Sequence, residues 1–279
     1  MTLVHETEVA GEWRAGRNTA AAQKGSIHDD ATAGKLGFKG GTVAGSLHMD
    51  QFVPLLVETF GDDWRERGNL SLYFRQATVD GERVRAFLQK GEGQARLWME
   101  NEAGDLVLEG TASAGGPDLQ TELVQRLAGQ ARSAPGALRI LAKVREGDEA
   151  SDVIGRIEAK RVADRLKTIP ETIPEYSSAP PHLPPSLCVH LYRAAQTQLL
   201  KLTGSVVGLF GAIELQSLAG PLMADADYAT RARVLALSES PKTENVWFQA
   251  WASDPASGKD IGWMIMYLRF MKASSPLWA

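Results

Sequence analysis

The sequence predicts an α+β protein made of two similar units, each an antiparallel sheet wrapped around one helix. Three observations lead there. The chain has 279 residues, enough for two hydrophobic cores of about 130–150 residues each. Segments 9–17 (VAGEWRAGR) and 153–161 (VIGRIEAKR) repeat, with Val9, Gly11, Ala15 and Arg17 falling on Val153, Gly155, Ala159 and Arg161. After each copy comes the same order: a long loop, one helix-like segment closing on glycine, then a series of strand-like segments.

In the first unit the helix is predicted over 46–60, stopped by Gly61 and disturbed from within by Pro54. Extended segments follow over 70–79, 83–90, 94–101 and 106–113, and Glu102–Asp105 supplies turn chemistry before the last. The second unit places its helix over 186–203, started by Pro184-Pro185 and closed by Gly204. Its strands are expected over 206–216, 230–238, 245–253 and 261–272, with a matching turn at 254–258. Between the units, 118–145 reads as a helical linker interrupted at 133–136. The resulting division is 1–117, a linker over 118–147, and 148–279.

Composition narrows the function. Hydrophobic residues at 44% and charged residues at 23% describe a globular chain rather than a disordered one. Thirty Lys and Arg against 34 Asp and Glu give a net charge of -4, so no chain-wide basic field for nucleic acid exists. Cys188 is the single cysteine, which excludes an intramolecular disulfide and a cysteine-cluster metal site. There is no phosphate-binding loop, dinucleotide fingerprint or HExxH, so neither a metal nor a redox cofactor is implied. Residues 1–16 are charged from the start and lack the apolar core of a signal peptide, and no apolar run is long enough to span a bilayer. The expectation is a soluble cytoplasmic chain with no membrane partner.

Residues 25–48 read GSIHDDATAGKLGFKGGTVAGSLH. This resembles the MaoC-like, R-specific enoyl-CoA hydratase family of hot-dog folds, through Ile27, His28, Asp30, Ala33, Gly37, Phe38, Gly41, Val43 and Ala44. The resemblance implies a double hot-dog fold and chemistry on an enoyl or 3-hydroxyacyl thioester, with CoA as carrier; beyond the pairing of the two units, a homodimer of such chains is one candidate assembly. It also implies that a backbone amide near Gly41, Gly45 and Ser46 polarises the thioester carbonyl. Gln23 stands where the family has a catalytic aspartate, Gly25-Ser26 replaces Asn-Pro, and Gly45 replaces a histidine. The second unit keeps none of the motif, so the N-terminal unit is the expected catalytic one.

His28, in a polar glycine-flanked loop, is a group able to take and return a proton near neutral pH. Gln23 can orient a water by hydrogen bonds but has no proton-accepting form there. Asp30 is a candidate to replace the missing carboxylate, although Asp29 and Asp30 also read as an N-cap pair for a short helix over 31–36. Gly41, Gly45 and Ser46 approach the start of the central helix, where free N–H groups accept developing negative charge. His48 and Asp50 follow on that helix; Asp50 would be the general base if the reaction were thioester hydrolysis. A catalytically silent acyl-binding protein is the third reading, motivated by Gln23. Arg75, Arg83, Arg85 and Lys90 offer cations for a CoA nucleotide, while His182, His190 and the tryptophans of the second unit read as structural.

Overall fold

The structure, a computed structural model, describes residues 8–117, 121–133, 136–168, 171 and 173–278. In chain order its strands are β1 (Glu8–Ala10), β2 (Arg14–Ala15), β3 (Asn69–Phe74), β4 (Arg83–Lys90), β5 (Ala95–Asn101), β6 (Leu106–Ser113), β7 (Glu149–Arg156), β8 (Gly208–Ser217), β9 (Asp227–Glu239), β10 (Thr243–Ser253) and β11 (Asp260–Met271). Its α-helices are α1 (Asp30–Lys35), α2 (Gly45–Met49), α3 (Val53–Phe60), α4 (Asp62–Arg67), α5 (Glu122–Ala128), α6 (Ala159–Leu166), α7 (Pro185–Tyr192) and α8 (Gln196–Leu199).

All eleven strands join one sheet in the order β1-β4-β5-β6-β3-β8-β11-β10-β9-β7, with β2 beside β4. Each half therefore has the same strand order, and the halves meet where β3 and β8 pair antiparallel, Leu70 opposite Leu215 and Leu72 opposite Ile213. That pairing removes the edge each half would otherwise leave open. Glu214, fully buried at this seam, accepts hydrogen bonds from Asn69 Nδ2 (2.9 Å), Ser71 Oγ (3.0 Å) and, from the inter-half segment, Thr121 Oγ1 (2.7 Å). The predicted fold class, α+β with two halves each wrapped around a helix, is the observed one.

The first central helix is α2 and α3 joined by a 3-10 turn at Asp50–Phe52, with Pro54 in the first turn of α3. There its missing N–H interrupts nothing. Gly61 ends the rod at φ 64°, and its N–H closes on Val57 O at 2.8 Å. Phe52 and Leu56 are buried completely in the core under the sheet, each contributing about 1.5–3 kcal/mol. The second central helix, α7 to α8, stops at Leu199 rather than near 203. Leu200 leaves helical geometry, and Thr203 N donates to Ile140 O at 2.9 Å instead.

The inter-half segment is helical over Glu122–Ala128 alone among its described residues. Farther on, buried Glu244 accepts from the N–H groups of Arg139 (2.9 Å), Ile140 (3.1 Å) and Leu141 (2.9 Å), and from Trp278 Nε1 (2.7 Å). Those bonds satisfy the backbone without a helix. Of the expected interruption at 133–136, residues 134 and 135 lie outside the described residues. No helix among the described residues is long and apolar enough to cross a membrane.

Candidate active site

The His28 loop is held by backbone and side-chain bonds that its sequence supplies. Asn18 Nδ2 donates to His28 O (2.8 Å), Thr42 N donates to Ile27 O (2.8 Å), and Ser26 Oγ accepts from His28 N (3.2 Å). Asp30 Oδ1 accepts from Gly41 N at 2.6 Å and so fixes the far side of the loop. Gly41 is required by close approach: a Cβ there would strike the His28 carbonyl and come within 2.9 Å of Asn18 Nδ2. Asp29 is the N-cap position of α1; bonds from Thr32 Oγ1 and Lys24 Nζ hold its carboxyl down at about 2.

His28 Nδ1 lies 2.7 Å from Thr42 O. A carbonyl can only accept, so Nδ1 carries the hydrogen, and the neutral ring keeps its lone pair on Nε2. Nε2 has no protein partner among the described residues. His28 lines a cleft of about 440 Å³ that opens between the halves. Gln23, Gly45, Ser46 and His48 line it with His28, and no side-chain bond holds the Gln23 amide among the described residues. Ala44 leads into α2 in extended conformation, and the N–H groups of Gly45 and Ser46 open that helix without a hydrogen-bond acceptor among the described residues. Gly45 sits against Phe74, whose ring would lie 3.0 Å from an added Cβ.

The remaining candidates are elsewhere or occupied. Asp30 and Gly41 are outside the cleft lining, committed to each other. His48 is 2% exposed, with Nε2 at 2.7 Å from Thr78 Oγ1 and Nδ1 at 3.2 Å from Gln51 Nε2. Burial pushes it down to about 4, so it stays neutral and pins α2 to the segment after β3. Asp50 also lies outside the lining. Both of its oxygens are taken by Ser186, through N–H at 2.7 Å and Oγ at 2.6 Å, at the start of α7. Burial raises its carboxyl to about 6 against the pull of those two bonds.

The two helix starts are thus treated differently. Asp50 caps α7 from inside, and the space beside α7 shrinks to about 80 Å³, lined in part by Tyr176, Leu183 and Cys188. The start of α2 is uncapped and faces the larger cleft. The far wall of that cleft comes from the second half: Arg161 and Arg165 of α6, His190 of α7, and Arg193, Phe210 and Arg269. Sequence reasoning singled out none of these residues for the site, and read His190 as structural. Of the cations it named, Arg75 lines the cleft, and Arg83, Arg85 and Lys90 do not. One signal existed: in the repeated helix, His190 stands four residues after Ser186 as Asp50 does after Ser46.

No family model matches the sequence, and no curated protein matches it. Solved structures do. One is a protein of Chloroflexus aurantiacus J-10-fl described as a MaoC-domain dehydratase, 12% identical over 95% of each chain, with a TM-score of 0.66. A MaoC-like dehydratase is 16% identical, over 95% of this chain and 98% of that one, with a TM-score of 0.57. A conserved Mycobacterium tuberculosis protein with a double hot-dog fold is 16% identical over 96% of each chain, also at 0.57. At these identities the likeness is one of fold: the chain has the double hot-dog architecture that MaoC-like dehydratases share.

Proposed function

We propose that the chain is a hydratase–dehydratase for an α,β-unsaturated or 3-hydroxyacyl thioester carried on CoA, working in the cleft of the N-terminal half. The observation that carries this reading is the tautomer of His28. Thr42 O holds the hydrogen on Nδ1, and the basic Nε2 is left for substrate beside the uncapped start of α2.

In the hydration direction, Nε2 takes a proton from water as the water oxygen bonds to the β-carbon. Electron density moves through the α-carbon onto the thioester oxygen, to which the N–H groups of Gly45 and Ser46 donate hydrogen bonds. The imidazolium then returns its proton to the α-carbon, so one water is added and the enzyme is regenerated. Gln23, with a free amide, holds the water in line. The smaller second cleft and the capped α7 support a single working site in the N-terminal half.

The test follows the enoyl absorbance of a trans-2-enoyl-CoA together with release of free thiol. Loss of absorbance without thiol supports hydration. Thiol release would replace this reading with thioester hydrolysis. One observation favours a second reading: no carboxylate lines the cleft among the described residues, which suits an acyl-binding protein without turnover. Calorimetric binding of a thioester that is never consumed would establish it.

A further inference from the structure

The cleft wall opposite His28 is strongly basic although the chain as a whole is acidic. Arg161, Arg165, Arg193 and Arg269 all line it, no Asp or Glu does, and none of the four makes an ion pair among the described residues. The net charge is -4, so this is a local concentration of positive charge, not the general surface. Arg165 Nε is buried and has no hydrogen-bond partner among the described residues; Arg269 Nε, likewise unpartnered there, lies against Gly211 beside the Tyr267 ring. Arg165 feels Asp50 at a distance without bonding to it, since Ser186 takes both Asp50 oxygens. Arg161 reaches His190 Nδ1 at 3.4 Å, and Arg193 donates to Gln196 and lies 5.2 Å from the Phe210 ring centre.

An unpaired buried guanidinium nitrogen is a standing penalty that a bound oxyanion would remove. The planar fork suits a carboxylate through two parallel bonds. A purely hydrocarbon acyl chain would leave these groups unsatisfied and desolvate them further. Arg161 is exposed, as is Arg75, which pairs with Glu109; Arg165, Arg193 and Arg269 are half-buried. We infer that the acyl portion of the thioester bears a carboxylate, received by the half-buried guanidinium of Arg165. This rests on the thioester reading above and names its substrate class.

The test compares binding of butanoyl-CoA and succinyl-CoA by calorimetry, with hexanoyl-CoA and adipoyl-CoA as a longer pair. Each pair differs in a terminal methyl against a carboxylate, and neither member can be hydrated. The carboxylated thioester of at least one pair should bind about tenfold tighter or more. That advantage should vanish in Arg165→Gln, and be partly kept in Arg165→Lys, with melting temperatures confirming the fold. Equal affinity within both pairs in the native protein overturns the inference without any variant. If the substitutions weaken both members and free CoA by one common factor, Arg165 serves the phosphates of the carrier, which also overturns it. Butanoate against butanamide separates this idea from the thioester reading. Binding of butanoate alone, lost in Arg165→Gln, with no binding of any thioester keeps the carboxylate site and rejects the thioester. No binding of any of these ligands rejects both.

Discussion

Asp50 and His48 sit two residues apart on one helix, and burial acts on them in opposite directions. Asp50 is 3% exposed, with its carboxyl raised from 3.8 to about 6, chiefly by burial. Below pH 4 it is protonated both folded and unfolded. Between pH 4 and 6 the unfolded chain loses this proton while the fold retains it, so stability falls as pH rises through that window. At about 1.4 kcal/mol per pKa unit the loss is about 3 kcal/mol, complete above pH 6. His48, lowered from 6.5 to about 4, gives the reverse: the unfolded chain binds the extra proton, and stability gains about 3 kcal/mol from pH 4 to 6.5. The two nearly cancel in the native protein.

Asp50→Asn separates them. The amide oxygen can accept from Ser186 N–H, and the amide NH₂ can donate to Ser186 Oγ, so both bonds survive while the buried charge disappears. Urea unfolding from pH 4 to 7.5 should show the variant gaining more stability with pH than the native protein does. The native-minus-variant difference should fall by about 3 kcal/mol across the window. Enoyl turnover should be unchanged, because Asp50 lies outside the cleft lining. Parallel stability curves would refute the burial argument.

Other perturbations probe the frame around the site. Gly41→Ala puts a methyl into the His28 carbonyl, so thermal unfolding should show about 1–3 kcal/mol lost, and turnover should drop with the displaced imidazole. Glu244→Ala orphans three backbone N–H groups and Trp278 Nε1; urea titration should report a loss of about 3 kcal/mol or more, with enoyl affinity intact in the folded fraction.

The strands were the most legible part of the chain. Alternation and turn residues located β4 and β6 to the residue, because local pattern and burial agree there. The stretch predicted as strand over 70–79 stops at Phe74, where Arg75 and Gln76 both donate to Val107 O and turn the chain toward the cleft. The segment over 118–145 resisted reading because its hydrogen bonds go to Glu244, more than a hundred residues away. His28 could be found because its loop is local. Arg161 and Arg165 could not, since an i,i+4 arginine pair on a short amphipathic helix reads as a solvated face until the other half is laid against it. Asp50 shows the same limit: in the sequence it is a candidate as the one carboxylate early on the central helix, and the partner that occupies it, Ser186, lies 136 residues on.

The most direct test of the account is the rate of enoyl-CoA absorbance loss in the native protein beside His28→Ala, both checked for the same melting temperature. The proton-transfer role predicts a fall of about tenfold or more in the variant, with no free thiol in either reaction. An unchanged rate in a folded His28→Ala protein would contradict it and move the chemistry away from this imidazole.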